Sequence, residues 1–309
     1  MKRLALLLVL LAGIVLAGAA HAQSDLGKVV IRPQKLGDGL WMLTGAGGNL
    51  VVCAGPDGVL MGDAQYGPLA PKILAMVDSL SGGRHPRFVV NTHYHGDHVG
   101  GDSAMTAAGA TIVAHENVRR RMSAAQFNAT FGRTIPAAPV RALPTVTFGD
   151  SLTFHLGGPD IHVLHLPPGH TDGDAVLWIP GADVLQTGDL LFNGTYPVID
   201  LSAGGSIAGM IHDLDLLLPL AGLGTKIVPG HGPLADRAAL LRFRDMLVTV
   251  QGRVTRLVEE GKTLEQVVAA RPLADLDGIW GTGFMKPETF LKVVYTDLAR
   301  TKSAGQPAR

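Results

Sequence analysis

Short apolar runs set between glycine and proline turns dominate the chain up to His231, and a helical spacing of apolar residues takes over from Leu234. The opening, Val29 to Gly62, reads as strands, with Gly55-Pro56-Asp57-Gly58 as a turn between two of them. A helix is predicted near Pro68 to Leu80, followed by the strand Arg87-Phe88-Val89-Val90 and a continuing alternation of strands and helices. From Leu234 one long helix is expected to Glu260, and a second follows the capping pair Thr263 and Gln266. A third is opened by Pro287, with Phe290, Val294 and Leu298 on one face. These helices are expected to pack on the preceding sheets, so that residues 241–309 form a helical extension of the domain spanning 23–240. The chain shows no repeat and no low-complexity tract.

The polar residues that interrupt this pattern are the informative ones. Directly after Arg87-Phe88-Val89-Val90 comes Thr92-His93-Tyr94-His95-Gly96-Asp97-His98, and Gly100-Gly101 follows. A strand running into a loop splays alternate side chains, so His93 and His95 are expected to face one metal while Asp97 and His98 face another. Three more turns carry a donor after an apolar run: Pro167-Pro168-Gly169-His170-Thr171, Gln186-Thr187-Gly188-Asp189 and Val228-Pro229-Gly230-His231-Gly232. Each of these donors is expected at a strand end, where glycine and proline turns bring side chains to a common sheet edge. Imidazole and carboxylate donors without a thiolate suit zinc first, with manganese or iron as the other candidates.

In that order, H-x-H-x-D-H, Pro-Gly-His-Thr, Gly-Asp and Pro-Gly-His-Gly, the chain resembles the metallo-β-lactamase superfamily over roughly residues 28 to 240. The resemblance implies an α/β fold, an αββα sandwich, here with C-terminal helices packed on it. It implies two zinc ions per chain: the first held by His93, His95 and His170, the second by Asp97, His98 and His231, with Asp189 bridging them. It further implies a hydrolase in which a metal-bridging hydroxide attacks a carbonyl substrate, an ester, lactone, thioester or β-lactam. Asp97 is the candidate proton carrier as well as a ligand, and Asp63, at the end of Val59-Leu60-Met61-Gly62, is the candidate acceptor from a ligating histidine. The best-known β-lactamases of the superfamily have Cys or Ser at the position of Asp189, so the oxygen bridge is more similar to its thioesterase, lactonase and phosphodiesterase branches. Two other classes stay open on the same ligands, an iron-dependent persulfide dioxygenase-like oxidoreductase and a non-catalytic periplasmic metal-binding accessory protein.

Composition narrows the setting. Met1-Lys2-Arg3, the uncharged apolar run Leu4 to Leu16 and Ala20-His21-Ala22 read as a signal peptide over residues 1–22, cleaved before Gln23. The apolar run falls short of the ~20 residues a spanning helix needs, so a periplasmic or secreted protein without stable membrane association is expected. Its one cysteine, Cys53, excludes an internal disulfide and reads as a buried strand residue. The balance of 26 basic against 26 acidic residues shows no basic excess, so nucleic acid is not an expected partner and a small-molecule substrate is. His85, His115, His155, His162, His165 and His212 read as hydrogen-bonded or solvated rather than as ligands. The aromatics around Asn128 to Pro144, Phe192 to Gly205 and Ile279 to Phe284 are candidates for the cleft walls.

Overall fold

A computed structural model describes residues 26–304. The expected signal peptide and its cleavage point lie outside the described residues. Strands β1 (Arg32–Gly37), β2 (Leu40–Thr44), β3 (Leu50–Gly55) and β4 (Gly58–Gly62) form an antiparallel meander, and Gly55 pairs with Gly58 across the expected turn. Helix α1 (Ala70–Ser81) leads to β5 (Phe88–Asn91), and α2 (Gly96–Val99) with α3 (Asp102–Ala107) leads to β6 (Thr111–His115). Next come α4 (Glu116–Met122), a hairpin of β7 (Gln126–Asn128) and β8 (Arg133–Ile135), and then β9 (Val146–Phe148). The first sheet runs in the order β1-β2-β3-β4-β5-β6-β9, parallel from β4 onward.

The second sheet takes β10 (Ser151–Phe154), β11 (Ile161–His165), β12 (Ala175–Ile179), β13 (Val184–Phe192) and β14 (Lys226–His231) in sequence order, with α5 (Ile207–Leu217) crossing between the last two. The chain closes with α6 (Arg237–Glu259), α7 (Leu264–Ala270), α8 (Asp277–Trp280) and α9 (Pro287–Ala304).

Strands such as Leu50-Val51-Val52-Cys53 are apolar without alternation because both faces of the sheet are covered. Val51 and Cys53 join Leu60, Val90, Val163, Leu177 and Val228 in the layer between the sheets. Leu50 and Val52 face the opposite way, onto Ile73 and Val77 of α1 and Met105 of α3. On the far side of the second sheet, Leu185 and Leu191 of β13 share one apolar cluster with Met210 and Leu214 of α5, Leu240, Phe243 and Leu247 of α6, and Phe290 and Val294 of α9. Helices, two sheets and helices thus stack as the expected αββα sandwich. Each fully buried Leu, Val or Phe in these layers contributes about 1.5–3 kcal/mol.

The C-terminal helices start where capping side chains are available. The Asp236 carboxylate accepts from Ala239 N at 2.7 Å to open α6, and Thr263 with Gln266 forms a reciprocal capping box at α7. A boundary at residue 240 therefore falls inside the first turn of α6, which is one continuous helix. Helix α9 runs through Ala304, and the residues after it lie outside the described residues. Among the described residues, no helix is long and apolar enough to cross a membrane.

Candidate metal centre

Strand β5 ends one residue before Thr92, and α2 begins immediately after His95, so the H-x-H-x-D-H window is a strand end turning into a single helical turn. Asp63, next after β4, pins that turn. Its carboxylate accepts from Thr92 N at 2.7 Å and Thr92 Oγ1 at 2.9 Å, and His98 Nδ1 lies 3.0 Å from Oδ2. Asp63 holds a left-handed φ of 66°, sparsely populated for a residue with a side chain, and spends its oxygens here rather than on a cap for α1.

His170 sits in the loop between β11 and β12. The Asp174 carboxylate closes that loop, accepting from His170 N at 2.7 Å, Thr171 N at 2.8 Å and Thr171 Oγ1 at 2.6 Å. His231 is the last residue of β14, as expected, and its ring stacks on Phe192 with centroids 5.0 Å apart. Asp189 departs from expectation: it lies within β13, a nine-residue strand that continues to Phe192, and not at its end. What redirects its side chain is an irregularity in the β13–β14 pairing at Gly188, which takes φ 52°. A Cβ at Gly188 would also collide with Thr92, so only glycine serves there.

These elements bring all seven donors together in two groups, His93, His95, His170 and Asp189, and Asp97, His98 and His231, with the donor atoms of each group within 4.8 Å of one another. In the first, His170 Nε2 is 2.9 Å from His95 Nδ1, while Asp189 Oδ2 is 3.5 Å from His170 Nε2 and 3.7 Å from His93 Nε2. In the second, Asp97 Oδ2 is 3.3 Å from His231 Nε2 and 3.8 Å from His98 Nε2. The other Asp189 oxygen, Oδ1, is 3.1 Å from His98 Nε2 and 3.4 Å from His231 Nε2. One carboxylate thus turns an oxygen toward each group. Ligands on a tetrahedral zinc ion with bonds near 2.0–2.1 Å stand about 3.3 Å apart, the spacing seen here.

Hydrogen bonds on the far side of each ring decide which nitrogen faces inward. His93 Nδ1 meets Thr92 Oγ1 at 3.1 Å, His170 Nδ1 donates to Val198 O at 2.8 Å, and His98 Nδ1 meets Asp63, so each leaves Nε2 for the centre. His95 is reversed: its Nε2 lies 3.0 Å from Asp200 Oδ2, leaving Nδ1 inward. Among the described residues, the buried atoms His93 Nε2, His98 Nε2 and Asp189 Oδ1 have no well-formed hydrogen bond. Buried polar atoms are rarely left so. Three such atoms converging fit a bound cation.

Electrostatics separate the groups further. Burial, reinforced by the neighbouring His98, pushes the pKa of His93 well below the ordinary histidine value. Burial likewise takes His170 down to about 4, against the pull of Asp189. Burial acts the same way on His231, but Asp189 and Asp97 outweigh it and raise the ring to about 9. His98 is raised well above the ordinary value, because Asp189, Asp63 and Asp97 surround it and overcome burial. Against the burial that would raise it, the imidazoles of His231, His98 and His93 hold Asp189 well below the usual carboxylate range. His98 and His231 similarly hold Asp97 at about 2 despite its burial.

Asp200 is the site residue that sequence reasoning missed. Besides His95 it accepts from Tyr94 Oη at 2.6 Å and Asn128 Nδ2 at 3.3 Å. A signal was present: Val198-Ile199-Asp200 repeats the apolar-run-then-acid form of Met61-Gly62-Asp63. Asn49 also went unnoticed; its amide donates to Pro229 O and Gly232 O, tying the start of β3 to the His231 turn. The remaining histidines lie elsewhere: His165 Nδ1 meets Asp174 O, with its ring stacked on His115, His162 meets Thr153, and His155 and His85 meet Asp160 and Asp78.

Residues 41–235 match the family model described as the metallo-beta-lactamase superfamily. A probable metallo-hydrolase YqgX of Bacillus subtilis is 29% identical over 161 residues, 50% of this chain and 72% of that protein. The metallo-beta-lactamase type 2 of Bacillus cereus is 26% identical over 161 residues, 52% of this chain, which spans only 57% of the enzyme's length. Among solved structures, a metallo-beta-lactamase from Pontibacter korlensis superposes with a TM-score of 0.58 at 20% identity, covering 71% of this chain and 99% of that one.

Proposed function

The chain belongs to the metallo-beta-lactamase superfamily, and from that membership we propose that it is a dinuclear zinc hydrolase of a carbonyl substrate, an ester, lactone, thioester or β-lactam. The observation that carries the reading is Asp189, whose two oxygens turn to separate donor groups across 3.1 to 3.7 Å. His93, His95 and His170 would hold one ion, Asp97, His98 and His231 the other, with Asp189 between them. When bound, such a pair supplies an ionised water and polarises the carbonyl under attack.

The chain's own residues do the rest. Asp97 and His231 are the most open donors, their side chains 22% and 27% exposed, so substrate reaches the centre from their side. Gly48 lets the β2–β3 loop lie directly against the His98 ring, where any Cβ would overlap it. The ionised Asp97 carboxylate, facing the opening, would take on one oxygen the proton given up by the attacking water and return it to the leaving atom, the exchange expected of a positioned general acid and base.

Elemental analysis of the purified protein, paired with a panel of chromogenic esters, lactones, thioesters and β-lactams, tests the reading. Two zinc ions per chain and turnover abolished by a chelator are expected. Turnover untouched by chelation would overturn it, and so would iron with oxygen uptake and no hydrolysis.

A further inference from the structure

The β7–β8 hairpin at the rim carries a cation next to exposed aromatic rings. Hairpin β7–β8 is fixed to the centre: Asn128 donates to the Asp200 carboxylate that also holds His95, and Ala129 N donates to Ser202 Oγ at 3.1 Å. From this anchored hairpin Phe131 reaches Phe284 of the segment before α9, with ring centroids 5.6 Å apart. Both rings stay in solvent, 37% and 76% exposed, although burying such a ring is worth about 1.5–3 kcal/mol.

Arg133 lays its guanidinium over Phe131, 5.7 Å from the ring centroid. Among the described residues no carboxylate lies within ion-pair distance of it, whereas Arg120 and Arg121 nearby are both taken by Asp172. Across the hairpin Arg133 pairs with Asn128, the residue whose amide reaches the Asp200 carboxylate, so the cation is set by the same strand pair that is tied to the centre.

We propose that this rim selects anionic substrates: an apolar body rests on Phe131 and Phe284, while a carboxylate or similar anion remote from the scissile bond meets the Arg133 guanidinium. The selectivity rests on the hydrolase reading, but the anion site itself does not. A guanidinium matched to a carboxylate adds affinity without taking part in bond breaking.

Two measurements on the metal-loaded full chain test it. Titration calorimetry compares 5-phenylvalerate with its neutral amide, and kinetics compare p-nitrophenyl hydrogen glutarate with p-nitrophenyl valerate. The anion of each pair is expected to be preferred, and Arg133→Gln should cut that preference about 5- to 10-fold, with Arg133→Lys restoring part of it. Phe284→Ala should weaken phenylvalerate and its amide alike. Circular dichroism and metal content of the variants separate these effects from misfolding. Arg133-dependent binding of phenylvalerate without hydrolysis of either ester would support the anion site while the hydrolase reading fails. Hydrolysis of both esters with a preference unmoved by Arg133→Gln would overturn the anion site while the hydrolase reading stands.

Discussion

The two halves of the donor cluster are built to different tolerances. His93, His95 and His170 each have the outward ring nitrogen bound, to Thr92, Asp200 and Val198, and their side chains are at most 13% exposed. The Asp97, His98 and His231 half has one comparably held ring, His98 on Asp63, while Asp97 and His231 sit partly in solvent. Pre-organisation removes the cost of ordering ligands when an ion arrives, and burial excludes competing water. The first half is accordingly the more rigidly held and the second the more open one.

The sharpest way to break this contrast is to remove one ligand from each half. His170→Ala should lower turnover by more than about 100-fold, beyond the usual effect of outer partners, and strip metal from the first half. His231→Ala should leave one ion per chain. Elemental analysis reads both, and a chelator titration that removed two ions in one step would erase the distinction between the halves. Next in size, Asp200→Asn should weaken metal binding in the first half by about 10- to 100-fold, since it loosens His95 alone. Asp63→Asn should disturb both halves, because Asp63 reaches His98 directly and His93 through Thr92. Competition against a fluorescent zinc chelator separates the two variants.

Acid should act on the same difference. Metal needs unprotonated imidazole; the carboxylates around His98 and His231 raise both rings while burial lowers His93 and His170, so as pH falls protons take the second group before the first. The more open half should empty first in equilibrium dialysis between about pH 4.5 and 8, and simultaneous release would count against it. The smallest effect concerns the ground under the first half. Asp213 of α5 is fully buried against Gly169, its two carboxylate oxygens without a hydrogen bond among the described residues, and burial together with Asp174 raises it to about 8. The folded chain thus keeps a proton that the unfolded carboxyl, with a pKa near 3.9, gives up. Stability should fall as pH rises from about 4 to about 8, and the penalty is complete above that. Asp213→Asn should raise Tm by roughly 5 °C at pH 8.5 and little at pH 4, by differential scanning calorimetry.

Local features were legible and remote ones were not. The β3–β4 turn, α1, the cap of α7, the Pro287 start of α9 and the H-x-H-x-D-H window each lie within a few consecutive residues, where periodicity and turn chemistry speak directly. Asp189 showed why a strand end is an unsafe inference: the turn-like Gln186-Thr187-Gly188-Asp189 is a bulge inside β13, and a bulge and a turn use the same glycine. Asp200 escaped because its partner His95 is 105 residues away in sequence. Gly48, Asn49 and Gly188 act through close approaches between strands that no local pattern encodes.

What the chain alone determined is the chemistry on offer: seven nitrogen and oxygen donors, each beside an apolar run that would be rigid, together with the layered α/β alternation. Those are properties of neighbouring residues and survive any reading of the whole. The strand order was decided only by the fold, since it depends on which apolar faces bury one another. That order sets Asp63 under His98, Asp200 behind His95, and one Asp189 oxygen toward each half. It also leaves one half closed and the other partly open, because the packing that buries a ligand on one edge of a sandwich ends where its loops begin.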